Sequence, residues 1–277
     1  MRKSSAFWLI LPAFLGVLLF TFYPLLQIAI PTLHNSSSNI FSLYKSFLSD
    51  SYNLQVIGRT ILIAVITTII TLILSFPVAL WIARQNKFLK SLLSLLILFP
   101  MLTNAVVRNF AWIIILGKDG VINKALLSLH IISNPMNILY TNVSIIIGSI
   151  YLFLPIMITS LIGSISELNL EVEEAAIVLG ARPLVNLFKI IIPQLTTGIL
   201  TGCILVFAGT MTAYTTPQIL GGNRHLVMST LIYQQAMTLG NWTNASVIAI
   251  ILIIISSLTM LIMHKMMNKI DRRSINA

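Results

Sequence analysis

A chain of 277 residues that is 57% hydrophobic and only 9% charged, with a mean hydropathy of +0.96, lies outside the soluble globular class, in which about a quarter of residues are charged. Seventeen Lys and Arg against seven Asp and Glu leave a net charge of +10; on a soluble domain that excess would suggest nucleic acid, but here the cations sit at the ends of apolar runs, where membrane topology accounts for them and nucleic acid is not needed as a partner. The single cysteine, Cys203, falls inside an apolar run, which excludes an internal disulfide and a cysteine-rich metal site.

In chain order, Met1-Arg2-Lys3 precedes an apolar run from Ala6 to about Ile30. It starts like a signal peptide but is too long and has no small-residue cleavage site, so it is predicted to be an uncleaved first span with its N-terminus inside, bent at Pro24. Residues 31–55 are polar, with Asn35 to Asn39 and Asp50 to Asn53, and are expected to form an external loop with a short helix around Ile40 to Leu48. The second span runs from about Val56 to Ala83, with Pro77 near its inner end, and Arg84, Lys87 and Lys90 mark a cytoplasmic turn. The third, about Leu92 to Leu116, is interrupted by Pro100, Asn104, Arg108 and Asn109.

An amphipathic external segment through Tyr140 leads to the fourth span, about Val143 to Ile162, with Gly148 and Pro155. A polar stretch covers residues 164–193, followed by a fifth span from about Thr196 to Thr216. A second external segment turns at Gly221-Gly222-Asn223 and is expected to carry an amphipathic helix from Leu226 to Ala236 before the sixth span, about Ala245 to Met263. Each run is near the 20 residues or so that cross a bilayer, and the alternation of a β-barrel is absent.

Loop charges orient these spans. Arg2, Lys3, Arg84, Lys87, Lys90, Arg182, Lys189, Lys265, Lys269, Arg272 and Arg273 fall inside on this layout, and Lys45, Arg59, Arg108, Lys118, Lys124 and Arg224 fall outside or in the outer half. Eleven against six favours both termini inside, as an even number of spans requires. The expected fold is all-α: a polytopic membrane protein with six transmembrane helices, both termini cytoplasmic, and a two-helix element between helices four and five. The chain is read as a single transmembrane domain, 1–277, with residues 56–266 forming the bundle without its first span and 164–193 the cytoplasmic loop.

That loop holds four of the seven carboxylates, Glu167, Glu171, Glu173 and Glu174. Ser164-Ile165-Ser166-Glu167 has the form of a capping box, which predicts a new helix starting as span four ends. Glu167, Glu171 and Glu174 share one face, and Leu168, Val172, Ala175 and Leu179 form an apolar stripe. Gly180 suits the residue just past a helix C-terminus and Pro183 the first turn of the next helix. Leu184, Phe188, Ile191 and Ile192 give that second helix an apolar face before Pro193 redirects the chain. Such an element either rests on its own bundle or docks on a cytoplasmic partner.

The spacing Glu174-Ala175-Ala176, three residues, Gly180, nine residues, Ile190, then Ile192-Pro193 resembles the Glu-Ala-Ala-x3-Gly-x9-Ile-x-Leu-Pro signature of permease subunits of ATP-binding-cassette (ABC) importers, with Ile192 in place of Leu. Three shorter segments resemble motifs of the spermidine/putrescine class of these permeases: Thr103 to Trp112 with Arg108, Gly117-Lys118-Asp119-Gly120-Val121-Ile122-Asn123, and Thr216-Pro217-Gln218-Ile219-Leu220-Gly221-Gly222.

The resemblance implies that this chain is one of two homologous permease subunits, with two ATPase subunits beneath and an extracytoplasmic substrate-binding protein above. It also implies a transport subunit rather than an enzyme, without catalytic residues or metal ligands. No cofactor is expected on this chain; ATP and Mg would belong to the ATPase, consistent with the lack of a Gly-x4-Gly-Lys-[Ser/Thr] loop here. The residues it assigns to ATPase coupling are Glu174, Ala175, Ala176, Gly180, Arg182, Pro183, Phe188, Ile190 and Pro193.

For the pathway, an ionisable group at membrane depth is a functional candidate. Arg108 shares a helical face with Asn104 and Trp112, the alternative being an Arg that reaches for the outer interface beside Trp112. Thr210, Thr212 and Tyr214 in span five either line the path or bind neighbouring helices. Gly221, Gly222, Gln234 and Gln235 are candidates for binding-protein docking; a helix lying at the lipid interface is the other reading of that segment. Where polyamine permeases of this class often carry Gly-Glu, this chain has Thr212-Ala213, and none of the seven carboxylates falls within a proposed span. Polyamine is therefore the substrate implied by resemblance, with another small solute, such as an amino acid or a phosphonate, as the alternative. The main rival class is an ATP-independent secondary transporter or channel; the same lack of intramembrane acid counts against proton coupling, though not against every channel.

Overall fold

The computed structural model describes residues 3–33, 41–168 and 170–270, and these contain helices and no strand. Asn35 to Asn39, Arg2, Arg272 and Arg273, used above for loops and topology, lie outside the described residues. The helices are α1 (Lys3–Leu33), α2 (Phe41–Ser49), α3 (Ser51–Ala83), α4 (Lys87–Leu102), α5 (Ala105–Leu116), α6 (Val121–Ser128), α7 (Asn142–Ser166), α8 (Leu170–Val178), α9 (Pro183–Asn186), α10 (Ile192–Gln194), α11 (Thr196–Thr212), α12 (Thr215–Gly221), α13 (Met228–Tyr233) and α14 (Trp242–Ile270), with π turns at Leu187–Ile191 and Gln234–Thr238. Four stretches are unbroken and long enough to cross a membrane: Phe14–Thr32, Ser51–Ala83, Asn142–Ser166 and Trp242–Lys265. Two helix pairs, Lys87–Leu102 with Ala105–Ser128 and Pro183–Gln194 with Thr196–Thr212, are bent by 89° and 70°. Counting each pair as one span gives the expected six.

The chain divides into two compact units, residues 1–55 with 231–254, and residues 56–230 with 255–277. In the first, α1 is apolar on every side yet leaves Phe14, Phe20, Phe22 and Tyr23 exposed. A helix of that kind is stable only in hydrocarbon. Its far end meets α2 through Tyr44 Oη, which donates to Thr32 Oγ1 at 3.1 Å.

The second unit is built around α7. Its buried face, Phe153, Met157, Ile158, Leu161, Ile162 and Ile165, packs with Ala79 and Ile82 of α3, Cys203 and Val206 of α11, and Ile191 and Leu195 ahead of α11. Near the Asn142 end, Ile145 packs with Ile63 of α3 and Val227. The α7–α11 contact is close because Gly198, Gly202 and Gly209 face Ser164, Met157 and Phe153, leaving no room for a Cβ. Backbones then approach closely enough for Ser160 Oγ to donate to Gly198 O at 3.2 Å. In lipid, where apolar transfer does not drive helices together, such small-residue packing is what does.

Several local expectations are corrected. Span three is not one helix: α4 ends at Leu102, Asn104 caps α5, and the chain turns between them. Pro100 lies near the end of α4, and the Asn104 side chain accepts from Val106 N at 2.8 Å, so helix restarts rather than continues. No helix starts at Ser164. α7 continues to Ser166 because Ile162 and Ile165 still have core to bury, and Ser164 Oγ donates back to Ser160 O, a bond that lets Ser sit within a helix.

The chain is redirected not at Pro193 but at Leu195, the residue between α10 and α11. Pro193 has no N–H and would crowd the carbonyl four residues earlier; the π turn before it, closed by Ile192 N donating to Leu187 O, fits that missing bond within the helical path. The expected helix from Leu226 to Ala236 is only Met228–Tyr233 plus a π turn. Leu226, Val227, Met228, Thr230, Leu231 and Ala236 are buried, and Tyr233, Met237 and Leu239 are exposed.

Candidate functional site

α8, the turn after it and α9 form the element that the sequence singles out. α8 ends in a Schellman motif: Gly180 N donates to Ile177 O at 2.9 Å and Ala181 N to Ala176 O at 3.0 Å. Gly180 has φ of +81°, a left-handed conformation that costs other residues strain. Arg182 is the N-cap of α9 and Pro183 its first residue, as their sequence context predicts.

Burial differs from the expected stripe. Val172 is 45% and Leu179 87% exposed, with Val178 at 86%, Leu184 at 69% and Phe188 at 63%. Ala175 is exposed and Ala176 buried; Ile190 is half-buried and Pro193 exposed. The apolar side chains around the α8–α9 turn thus form an uncovered tip, flanked by exposed Glu174, Arg182 and Lys189.

Glu173 turns the other way. Its side chain is only 15% exposed and accepts from Arg84, just past the end of α3, at 2.6 Å. Lys90 of α4 donates to Ser166 at the end of α7. Between α8 and these helix ends lies a cavity of about 510 Å³, lined by Arg84, Lys90, Ser166, Glu173, Glu174 and Ile177 among others. Sequence reasoning used Arg84 only as a topology marker. The available signal was that Glu173 falls off the face shared by Glu167, Glu171 and Glu174.

The proposed pathway residues are distributed as follows. Arg108 Nη1 donates to Pro100 O at 2.9 Å and Thr103 O at 3.4 Å, so the guanidinium holds carbonyls at the end of α4 while Asn104 caps α5. Neither residue projects freely. Trp112 meets Tyr151 of α7 edge to face, ring centres 5.6 Å apart, a partner that sequence periodicity did not reveal. Thr210 is buried and donates to Val206 O; Thr212 is exposed and donates to Ala208 O; Tyr214 is half-buried just before α12.

The segment 215–230 forms a wedge at the Asn142 end of α7. Leu220 O accepts from Tyr140 N at 3.0 Å and from Ser144 Oγ at 2.9 Å. Arg59 donates to Leu226 O at 3.0 Å, and Met228 N donates to Thr60 Oγ1 at 3.0 Å. Gly221 is buried and Gly222 has φ of +59°; Gln234 and Gln235 lie half-buried in the π turn. Beside Gly222 a second cavity, about 530 Å³, is lined by Tyr140, Asn223, Arg224 and His225. Burial pushes the His225 imidazole below its ordinary value, with Arg59 and Arg224 adding to the effect. Asn123, from the second short motif, is buried and ties two loops together: it donates to Gly117 O and Met136 O and accepts from Met136 N, all near 3.0 Å.

Comparison with known proteins bears on the family and the fold. Residues 75–275 match the family model described as "Binding-protein-dependent transport system inner membrane component". The chain is 29% identical over 255 residues to the spermidine/putrescine transport system permease protein PotB of Haemophilus influenzae, covering 90% of this chain and 89% of that one. It is 32% identical over 215 residues to PotB of Escherichia coli, covering 78% of each. In fold it resembles a crystal structure of a bacterial ABC transporter involved in the import of alginate, with a TM-score of 0.81 at 16% identity over 98% of this chain and 97% of that one. The chain therefore belongs to the family of inner-membrane components of binding-protein-dependent transport systems, as a multi-pass permease subunit of an ABC importer.

Proposed function

We propose that this permease forms half of a translocation pathway for a polyamine such as spermidine or putrescine. It would act with a second homologous permease, two ATPase subunits that bind ATP and Mg, and an extracytoplasmic binding protein. The substrate reading is carried by the 32% identity to a spermidine/putrescine permease across 78% of both chains. The binding-protein partner is supported by the family's own description.

For coupling, the supporting observation is the uncovered tip of Val178, Leu179, Leu184 and Phe188. Apolar side chains bracketed by Glu174, Arg182 and Lys189 suit neither lipid, which rejects the charges, nor water. They suit a protein groove, and on this reading the loop, both chain termini and the positive cluster around Arg84 are cytoplasmic. The wedge at the opposite end of α7, with Gly221 and Gly222, then faces outward toward the binding protein, and the pathway candidates other than buried Thr210, namely Asn104, Arg108, Trp112, Thr212 and Tyr214, retain exposed surface.

One observation favours a different solute within the same architecture. The described carboxylates lie in loops, at the end of α7 or on the short helix α8, and the wedge cavity is lined by Arg224 and His225 rather than by acids. A polycation would have to find its counter-charges on the second permease or the binding protein. Uptake of labelled spermidine and putrescine by proteoliposomes carrying the whole transporter decides the matter. ATP-dependent accumulation is expected; accumulation of an amino acid or phosphonate instead, with neither polyamine transported, selects the second reading.

A further inference from the structure

α8 is poorly anchored for an element that must transmit force. Its own packing is to α9 and the following π turn, while toward the bundle it stands over the cavity of about 510 Å³. Val172, Ile177 and Val178 are all exposed. Across that gap reaches the Arg84–Glu173 ion pair at 2.6 Å, its carboxylate side largely withdrawn from water.

Arg84 directly follows α3, whose buried face, Thr60, Thr67, Thr71 and Ser75, runs the length of the span. Three of those residues, Thr67, Thr71 and Ser75, have no hydrogen-bond partner for their hydroxyls. Hydroxyls without fixed partners do not lock a helix in one register, so the half of α3 that leads to Arg84 has no side-chain latch at these positions, whereas its other half is tied by Arg59 to Leu226 O and by Thr60 to Met228 N. A void on one side and an unlatched half-helix on the other leave room for α8 and the adjoining end of α3 to move together.

We propose that Arg84 is a positioning residue for coupling: through Glu173 it sets the stance of α8 over the cavity and carries displacement of α8 into α3. This rests on the reading of α8–α9 as the ATPase contact. Glu173 then ties α8 to the bundle, while Glu174, at the edge of the same cavity, makes no ion pair there among the described residues and keeps an exposed surface for the partner. A half-exposed ion pair is a weak fastener, which suits an element that must shift during each cycle. Its contribution is directional, because Arg84 reaches a single carboxylate across open space, so reversing one charge places two like charges across the gap.

The test uses the transporter assembled with its ATPase and second permease in proteoliposomes, with spermidine-loaded binding protein as the stimulus. For each variant the ratio of stimulated to basal ATP hydrolysis is measured, together with the amount of copurifying ATPase. Arg84→Glu and Glu173→Arg are each expected to lower the ratio about fivefold, near the upper limit for such a pair. The double exchange should return it to within about twofold of the starting chain, and Arg84→Lys should behave as the conservative variant. Unchanged ratios in the single reversals overturn the proposal, as does a double exchange no better than its worse parent. So does a loss of assembled complex with the per-complex ratio intact, which would mark the pair as merely structural. Failure of the unaltered chain to bring down any ATPase would instead remove the coupling reading beneath it.

Discussion

The two ends of α7 are built on opposite plans. At the Asn142 end, Leu220 O accepts two hydrogen bonds, Leu226 O holds Arg59, Met228 N reaches Thr60, and the apolar residues Leu220, Leu226 and Val227 are buried. At the Ser166 end, the large apolar side chains around the α8–α9 turn are exposed, a cavity separates α8 from the bundle, and a side-chain ion pair spans the gap. The first end satisfies its polar and apolar groups within the chain and is part of the fold. The second leaves its apolar surface uncovered within this chain. Substitutions at the first end should therefore cost stability, and those at the second should cost transport.

The largest effect is expected from Asn123→Ala. The side chain is buried and makes three hydrogen bonds to the backbone of two loops; removing it strands buried polar groups and costs about 3 kcal/mol. Thermal unfolding of the detergent-solubilised protein should show a clear drop in Tm, and an unchanged Tm would break the contrast at its better-built end. Next comes Glu174→Lys, on the exposed face of α8. Its Tm should match that of the starting chain, while ATP-driven uptake falls about tenfold, within the usual range of coupling energies between sites. Equal uptake by the variant would show that the exposed face has no partner.

How much of this was legible in the sequence follows the same division. The spans could be read because lipid demands long apolar runs, and the turn at Gly180-Ala181-Arg182-Pro183 because its backbone geometry depends on local residues. The break at Thr103–Asn104 was half visible: Pro100, Asn104 and Arg108 were noted as interruptions, but their joint role in ending one helix and starting another depends on Arg108 folding back onto Pro100 O and Thr103 O. The inward turn of Glu173 depends on Arg84, 89 residues earlier, and no local pattern carries that information. Periodicity also placed Leu179 on an apolar stripe without saying what covers it, and it is exposed, since an uncovered apolar face has the same pattern as a packed one.

Gly180 sharpens the contrast by separating backbone from contact. No atom lies within 4 Å of where a Cβ would stand, so space is available, but φ is +81°. Gly180→Ala should cost about 1 kcal/mol through backbone strain alone, and Gly180→Asn less, since Asn tolerates the left-handed region. Parallel unfolding of the two variants measures the difference. Equal stabilities would mean that the turn adapts and that the α8–α9 angle is not fixed by this residue.

The smallest effect concerns pH and belongs to the Asn142 end. The His225 ring lies 3.0 Å from Asn142 Oδ1, and its pKa is lowered from 6.5, first by burial and then by Arg59 and Arg224. A depressed folded-state value means that, as pH falls through 6.5, the unfolded chain takes up the proton before the native one does. Stability is then lost with falling pH until the native imidazole also titrates, after which the curve flattens. The effect should be slight, because most of the ring's surroundings are still solvent. His225→Gln retains a donor for Asn142 without a titratable group, so its Tm should lose this part of the dependence below 6.5. If the slope is instead the same in both proteins, the cationic wedge does not sense pH through His225, and its positive charge rests on Arg59 and Arg224 alone.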